Sequence, residues 1–221
     1  MILVPVKNLK NAKRRLGSVM EQSARTELAQ AMLQDVLETL SGYEVSLVTS
    51  DSFAIELAAN CGFRVIRDES NLSETDAIEM ATQVCESRGI RTTLVIPADI
   101  PLIDVTEVRA IYDSAPERGT VLVPARDKRG TNAILRRPVA LFPLHFGNDS
   151  FLPHLAAAIA TDTSCVVLSL SGIALDIDTP EDLEQLARAP GEKRSQLLAR
   201  KLGLSQPFHP SVILPRVGGN I

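Results

Sequence analysis

The chain has 221 residues, a formal net charge of −4 and a hydrophobic fraction of 45%. That suits one α/β domain with a substantial core and argues against a general nucleic-acid binder, whose surface would carry a positive excess. The apolar residues are dispersed, with no run near the roughly 20 of a membrane span. The opening MILVPVK reverses the order of a secretion signal, so a cytoplasmic protein with no membrane partner is expected.

In chain order, Ile2 to Val6 reads as a strand, and Gln22 to Leu40 places Ala24, Leu28, Met32, Val36 and Leu40 on one face of a helix. Glu44 to Thr49 reads as a strand, Ser52 to Asn60 as a helix, and Phe63 to Ile66 as a strand after the stop at Gly62. A helix over Glu74 to Ser87 closes at Gly89, and the strand Thr92 to Ile96 ends in Pro97-Ala98-Asp99. Asp104 and Glu107 form a capping-box pattern for a helix over Val105 to Ser114. Val121 to Pro124, Ala133 to Leu135 and Cys165 to Leu170 follow as strands, with a helix over Asp149 to Ala160. Thr179-Pro180-Glu181-Asp182 reads as a helix start, with Thr179 as cap, Pro180 in the first turn and acids at the positive dipole end. Alternation of this kind predicts a single-domain, mainly parallel twisted sheet with helices on both faces, over residues 1–202. From Gly203 a Pro- and Gly-rich extension without periodicity reads as a packed segment or a tail.

Ligands of an open parallel sheet gather at the carboxyl ends of its strands. Asp99 stands at such an end, with a turn aspartate as the structural alternative. Asp176 and Asp178 flank Ile177 in an extended segment, which points both carboxylates to one side and Ile177 to the core. Two carboxylates on one side repel unless a cation compensates them, and with Asp99 they form an all-oxygen set suited to magnesium. For Asp178 the alternative is the start of the turn into the next helix.

Lys7, Lys10, Lys13, Arg14 and Arg15 follow the first strand, where a triphosphate would lie, although a charge run is often only solvated surface. The chain contains neither GxxxxGK[ST] nor GxGxxG, so basic side chains would have to cradle the phosphates. Arg129 to Asn132 and Phe146 to Ser150 offer small and hydroxyl-bearing residues for an anion, with helix capping as the alternative for Asn148, Asp149 and Ser150. His145, His154 and His209 lack HExxH spacing and there is no GxSxG. His154 could reach a phosphate or simply pack within its helix. Cys61, Cys85 and Cys165 have no metal-ligand spacing and read as buried thiols.

The segments VPVKNLKNAKRRL, IPADIPLI, GTNAIL, FGNDSFLPHLAAA and LDIDTPEDL, in this order from residue 2 to about residue 188, resemble the CofC/FbiD family. That family comprises 2-phospho-L-lactate and phosphoenolpyruvate guanylyltransferases of coenzyme F420 biosynthesis. The resemblance implies a nucleotidyltransferase fold similar to molybdenum cofactor guanylyltransferase, and attack of a phosphoacid on the α-phosphorus of GTP with loss of pyrophosphate. By the same resemblance Asp99, Asp176 and Asp178 would hold Mg2+, Thr131, Gly147 and Ser150 would bind the phosphoacid, and Lys7 and Lys13 would face the triphosphate. A downstream deazaflavin transferase would consume the product, and the extension from 203 to 221 could serve a homodimer or cover the site. The stretch Asn71 to Asp76 departs from the glycine-containing loop associated with the family, so guanine contacts are not assigned. A related nucleotidyltransferase with another base or acceptor, 3-phospho-D-glycerate among the acceptors, and a noncatalytic nucleotide sensor are the alternatives.

Overall fold

The computed structural model describes residues 1–69, 73–147 and 149–203. Asn71, Leu72, Asn148, His209 and the extension beyond Gly203 lie outside them. Seven strands form one sheet: β1 (Ile2–Val6), β2 (Val45–Thr49), β3 (Arg64–Ile66), β4 (Thr93–Val95), β5 (Gly119–Pro124), β6 (Thr131–Arg137) and β7 (Ser164–Val167), in the spatial order β3-β2-β1-β4-β6-β5-β7. The β1–β2, β1–β4, β2–β3 and β5–β7 pairs are parallel. β6 alone runs antiparallel to its neighbours β4 and β5.

Every residue of β1 is buried, and its side chains divide by the strand period of two. Ile2, Val4 and Val6 join one core and Leu3 the other. The first core is covered by α1 (Gln22–Thr39), α2 (Ser52–Asn60), α4 (Val105–Asp113), α7 (Pro180–Arg188) and α8 (Arg194–Gly203). The second is covered by α3 (Glu74–Ser87) and α5 (Phe151–Ala160). Leu28, Met32 and Val36 of α1 are buried as their spacing predicts. The capping boxes of α4 (Asp104, Glu107) and α7 (Thr179, Asp182) are both formed.

Three differences from the sequence reading have local causes. The segment expected as a strand to Leu170 leaves the sheet after Val167 and makes a one-turn helix, α6 (Ser171–Ala174). α8 was not anticipated. Its first N–H groups, on Arg194 and Ser195, donate to the buried Asp35 of α1 at 3.0 and 2.9 Å, so its capping group lies far away in sequence. Of the three thiols only Cys85 is buried, while Cys61 is exposed at the end of α2. Among the described residues no helix is long and apolar enough to cross a membrane.

Gly119 opens β5 at φ +146°, and a Cβ there would stand 2.1 Å from the Ser164 carbonyl oxygen. Only glycine lets β5 begin this close to β7.

Candidate active site

The site is built where the chain leaves β1 and β4. The loop after β1 is tied down by the Leu9 N–H, which donates to Asp51 at 3.0 Å, and it then makes a 3-10 turn over Arg14–Ser18. Lys13 precedes that turn in the left-handed conformation, φ 55° and ψ 43°, a backbone cost of about 1 kcal/mol for a non-glycine residue. The conformation aims Lys13 inward. Its Nζ donates to Asp99 Oδ2 at 2.6 Å and to Asp178 Oδ1 at 2.8 Å, and its side chain is only 7% exposed. Arg15 approaches the other oxygen of Asp178 at 3.6 Å.

The acid-bearing segments lie side by side because the Ile177 N–H donates to the Asp99 carbonyl at 3.1 Å. Ile177 is fully buried and Asp176 and Asp178 face the cleft, as the alternation predicts. Asp176 accepts from Asn132 Nδ2 at 3.0 Å. Burial pushes its carboxyl above the ordinary range, and neighbouring Asp99 and Asp178 add to the rise against the Asn132 bond. Asp178 shifts the other way. Burial opposes its charge, but Lys13 and then Arg15 override that and hold its pKa low. Burial likewise works against the Lys13 ammonium, and the two carboxylates more than compensate.

Two cavities meet at this cluster and share Glu74, Pro97 and Asp99. One, of about 350 Å3, is polar and lined by Arg15, Arg129, Thr131, Asn132, Ser150, by Asp99, Asp176 and Asp178, and by the further acids Glu74, Asp127 and Asp149. The other, of about 470 Å3, lies under the loop after β1, with Lys7, Lys13 and Arg14 on one side and apolar Pro5, Ala12, Met32 and Ala98 on the other. A polar chamber beside a half-apolar, cationic one suits a small anion next to a nucleotide. Lys7 lines the second cavity but is already paired with buried Asp68 at 2.6 Å.

The wall of the polar cavity is held by its own hydrogen bonds. The Thr131 N–H donates to Ser150 Oγ at 3.0 Å, and Thr131 Oγ1 lies 2.9 Å from His154 Nδ1. Ser150 occupies the first position before α5 without capping it, so its hydroxyl serves the wall instead of the helix. Gly147, at φ +131°, and Asp149, at φ 59°, both take positive-φ backbone ahead of α5. Asp149 holds the Arg129 guanidinium at the rim. His154 is fully buried and does not line the cavity. Thus Asp99, Asp176, Asp178, Thr131, Gly147 and Ser150 all line one cavity, with Lys13 bound to two of the acids and Lys7 lining the second cavity.

Among the described residues no group of three or more His, Cys, Asp or Glu side chains is gathered into a metal cage. Asp99 and Asp178 converge on an ammonium, which shows that their oxygens can share one cation. An all-carboxylate set of this kind fits a hard ion that keeps waters and takes substrate oxygens for the rest of its shell.

Two residues of the cleft do more than their sequence suggests. Asn132, expected only as part of an anion-binding segment, orients Asp176. Glu74, expected only as the start of α3, lies between the cavities. Burial, with Asp99 adding, pushes its pKa up to about 7 against the pull of Lys7 and Lys13. A carboxyl raised above its unfolded value is a charge the fold disfavours, so the Glu74 contribution to stability is least unfavourable at low pH, worsens as pH rises toward about 7 and levels off above it. Glu74→Gln removes that decline. Melting curves of the variant and the parent should coincide near pH 4.5 and separate in favour of the variant by pH 8.5, whereas parallel curves would show that Glu74 carries no such strain.

The chain is similar in sequence and in fold to known proteins. A 3-phospho-D-glycerate guanylyltransferase of Colwellia psychrerythraea is 35% identical over 84% of this chain and 90% of its own. A phosphoenolpyruvate guanylyltransferase of Rubrobacter xylanophilus is also 35% identical, over 86% of this chain and 94% of its own. A crystal structure described as a nucleotide-diphospho-sugar transferase, from Desulfovibrio desulfuricans G20, superposes with a TM-score of 0.76 at 19% identity, covering 92% of this chain and 94% of that one, and so shares the nucleotidyltransferase fold. The model of the family described as guanylyl transferase CofC like matches residues 1–216, and the chain belongs to that family.

Proposed function

We propose that this protein transfers the guanylyl group of GTP to the phosphate of a small phosphoacid, phosphoenolpyruvate or 2-phospho-L-lactate, and releases pyrophosphate. The observation that carries the reading is the meeting of an anion-sized polar cavity and a cationic, half-apolar cavity at Asp99. In this arrangement the acceptor lies against Thr131, Gly147 and Ser150, and the triphosphate runs along the loop of Lys7 and Lys13. A phosphate oxygen of the acceptor attacks the α-phosphorus, and the bond from that phosphorus to the oxygen bridging toward the β-phosphorus breaks. The acceptor phosphate is already ionised at neutral pH, so no protein base is required, and catalysis is alignment plus neutralisation of charge.

Asp99, Asp176 and Asp178 would hold Mg2+, which when bound supplies positive charge to the phosphoryl oxygens. Lys13 and Arg15 contribute fixed cations beside it, and Asn132 keeps Asp176 turned toward the cleft. The product is a diphosphate diester. We place the protein in the cytoplasm, in coenzyme F420 biosynthesis, upstream of the deazaflavin transferase that consumes this product.

The test is pyrophosphate release from GTP and magnesium with phosphoenolpyruvate, 2-phospho-L-lactate and 3-phospho-D-glycerate offered separately, with the deazaflavin transferase present to draw off product. Release with one acceptor and GTP, and none with CTP or UTP, is expected. Turnover with CTP or UTP instead would reassign the base, and nucleotide binding without release under any acceptor would mark a sensor.

A further inference from the structure

We infer that His154 is a positioning residue that sets the direction of the Thr131 hydroxyl and thereby makes the polar cavity a donor site for an anion. The inference rests on the reading of that cavity as the acceptor pocket.

One group in this network has no freedom of role. The backbone N–H of His145 can only donate, and it points at His154 Nε2 at 2.9 Å. Nε2 must therefore be the bare, accepting nitrogen. In a neutral imidazole the proton then sits on Nδ1, which faces Thr131 Oγ1 at 2.9 Å. His154 donates and Thr131 accepts. The ring stays neutral in ordinary buffers, because burial first, and then the charges of His145 and Arg136, push its pKa down to about 4. Phe146 fixes the ring plane from its edge, with centroids 5.2 Å apart and planes at 69°.

The consequence falls on the cavity. With a lone pair of Thr131 Oγ1 engaged by His154, the hydroxyl proton remains for a ligand. Ser150 is in the same state, since its Oγ accepts the Thr131 N–H at 3.0 Å. Among the described residues neither hydroxyl proton has a protein acceptor, and both residues line the cavity. The opposite tautomer would set Nε2–H against the His145 N–H and draw the Thr131 proton inward, leaving only lone pairs to face a carboxylate or phosphate. The imidazole proton thus decides between attraction and repulsion of the acceptor.

Two readouts test this. In the full-length protein labelled with 15N-histidine, and assigned by the signal lost in His154→Gln, the ring of His154 should carry its proton on Nδ1; a proton on Nε2 overturns the inference. In kinetics, Gln offers an acceptor near Nε2 without the Nδ1 donor, while Asn offers a donor near Nδ1. His154→Gln should raise KM for phosphoenolpyruvate, or for whichever acceptor turns over, about tenfold or more with KM for GTP unchanged, as expected for a lost hydrogen bond to a charged ligand. His154→Asn should restore most of the loss. In a Thr131→Val background His154→Gln should add little, because its effect passes through the missing hydroxyl. Equal rises in both KM values, or full additivity with Thr131→Val, would show a merely structural role. Should the parent protein turn over no acceptor, guanylyl transfer fails as the function, while the nitrogen spectrum still decides the tautomer.

Discussion

Replacing Asp176 by Asn should abolish pyrophosphate release and at the same time raise the melting temperature of the metal-free protein. The two effects have one cause. Among the described residues Asp176 is the one of the three aspartates without a cationic partner in contact: Asp99 and Asp178 share Lys13, whereas Asp176 receives the Asn132 amide and its own backbone N–H. Its pKa is raised by burial and by the two neighbouring acids, so at neutral pH its charge opposes folding. A raised carboxyl is relieved as pH falls through its folded value, and the amide variant is relieved at every pH. Asn keeps an oxygen for the Asn132 Nδ2–H while removing the repulsion. The expected gain, discounted for screening at a half-buried site, is about 0.5–1 kcal/mol, or roughly 2 °C in a domain of this size. The expected loss of turnover is on the order of 10³-fold, because the charge removed is one that acts on the reacting phosphate. Melting curves should show the variant ahead at pH 7.5 and the gap closing as the medium is acidified. An active variant would remove Asp176 from the metal set; an inactive variant that melts below the parent would mean that the carboxylate supports the fold.

Such a trade of stability for function marks the part of the site that was legible in the sequence. An Asp-Ile-Asp run is recognisable because strand periodicity sends Ile177 inward and both acids outward, and repulsion between them calls for a cation. The capping boxes at Asp104 and Thr179, and the spacing of Leu28, Met32 and Val36, are equally local signals, and each element they announce is present. What stayed hidden depends on partners remote in sequence. The start of α8 is satisfied by Asp35, some 160 positions earlier, so no cap stands beside it. The reversed direction of β6, by contrast, has a local cause, since the six residues between Pro124 and Thr131 are too few for a parallel crossover from β5. For Ser150 residue type and position leave helix capping open beside anion binding, and only the fold shows that the Thr131 N–H claims its oxygen. Glu74 acquires its raised pKa only when the fold buries it, with Asp99 beside it.

Lys13→Met is the second large effect, and it should separate stability from catalysis through the metal. In the free protein the Lys13 ammonium neutralises Asp99 and Asp178 from a nearly buried position. Removing it leaves two carboxylates without that partner, at a cost of about 1–3 kcal/mol given that both acids are about one-third exposed. The pH range of the loss follows from the shifts. Lys13 is held above its ordinary pKa, so its contribution is complete below about pH 10 and fades as pH rises through the folded value. Asp178 is held below its ordinary pKa, so its contribution is complete above about pH 4 and fades as pH falls through the folded value. The stability difference between parent and variant should therefore be flat from about pH 5 to 9 and shrink on either side. Magnesium competes with the ammonium for the same oxygens, so it should stabilise the variant by more degrees than the parent and recover most of the lost stability. Turnover should not recover: a cation fixed beside the triphosphate is gone, and kcat should stay down by about 10²-fold even at saturating magnesium. Equal magnesium responses in the two proteins would show that Lys13 and the metal do not share these carboxylates; a normal kcat would show that the Lys13 charge is spent on folding alone.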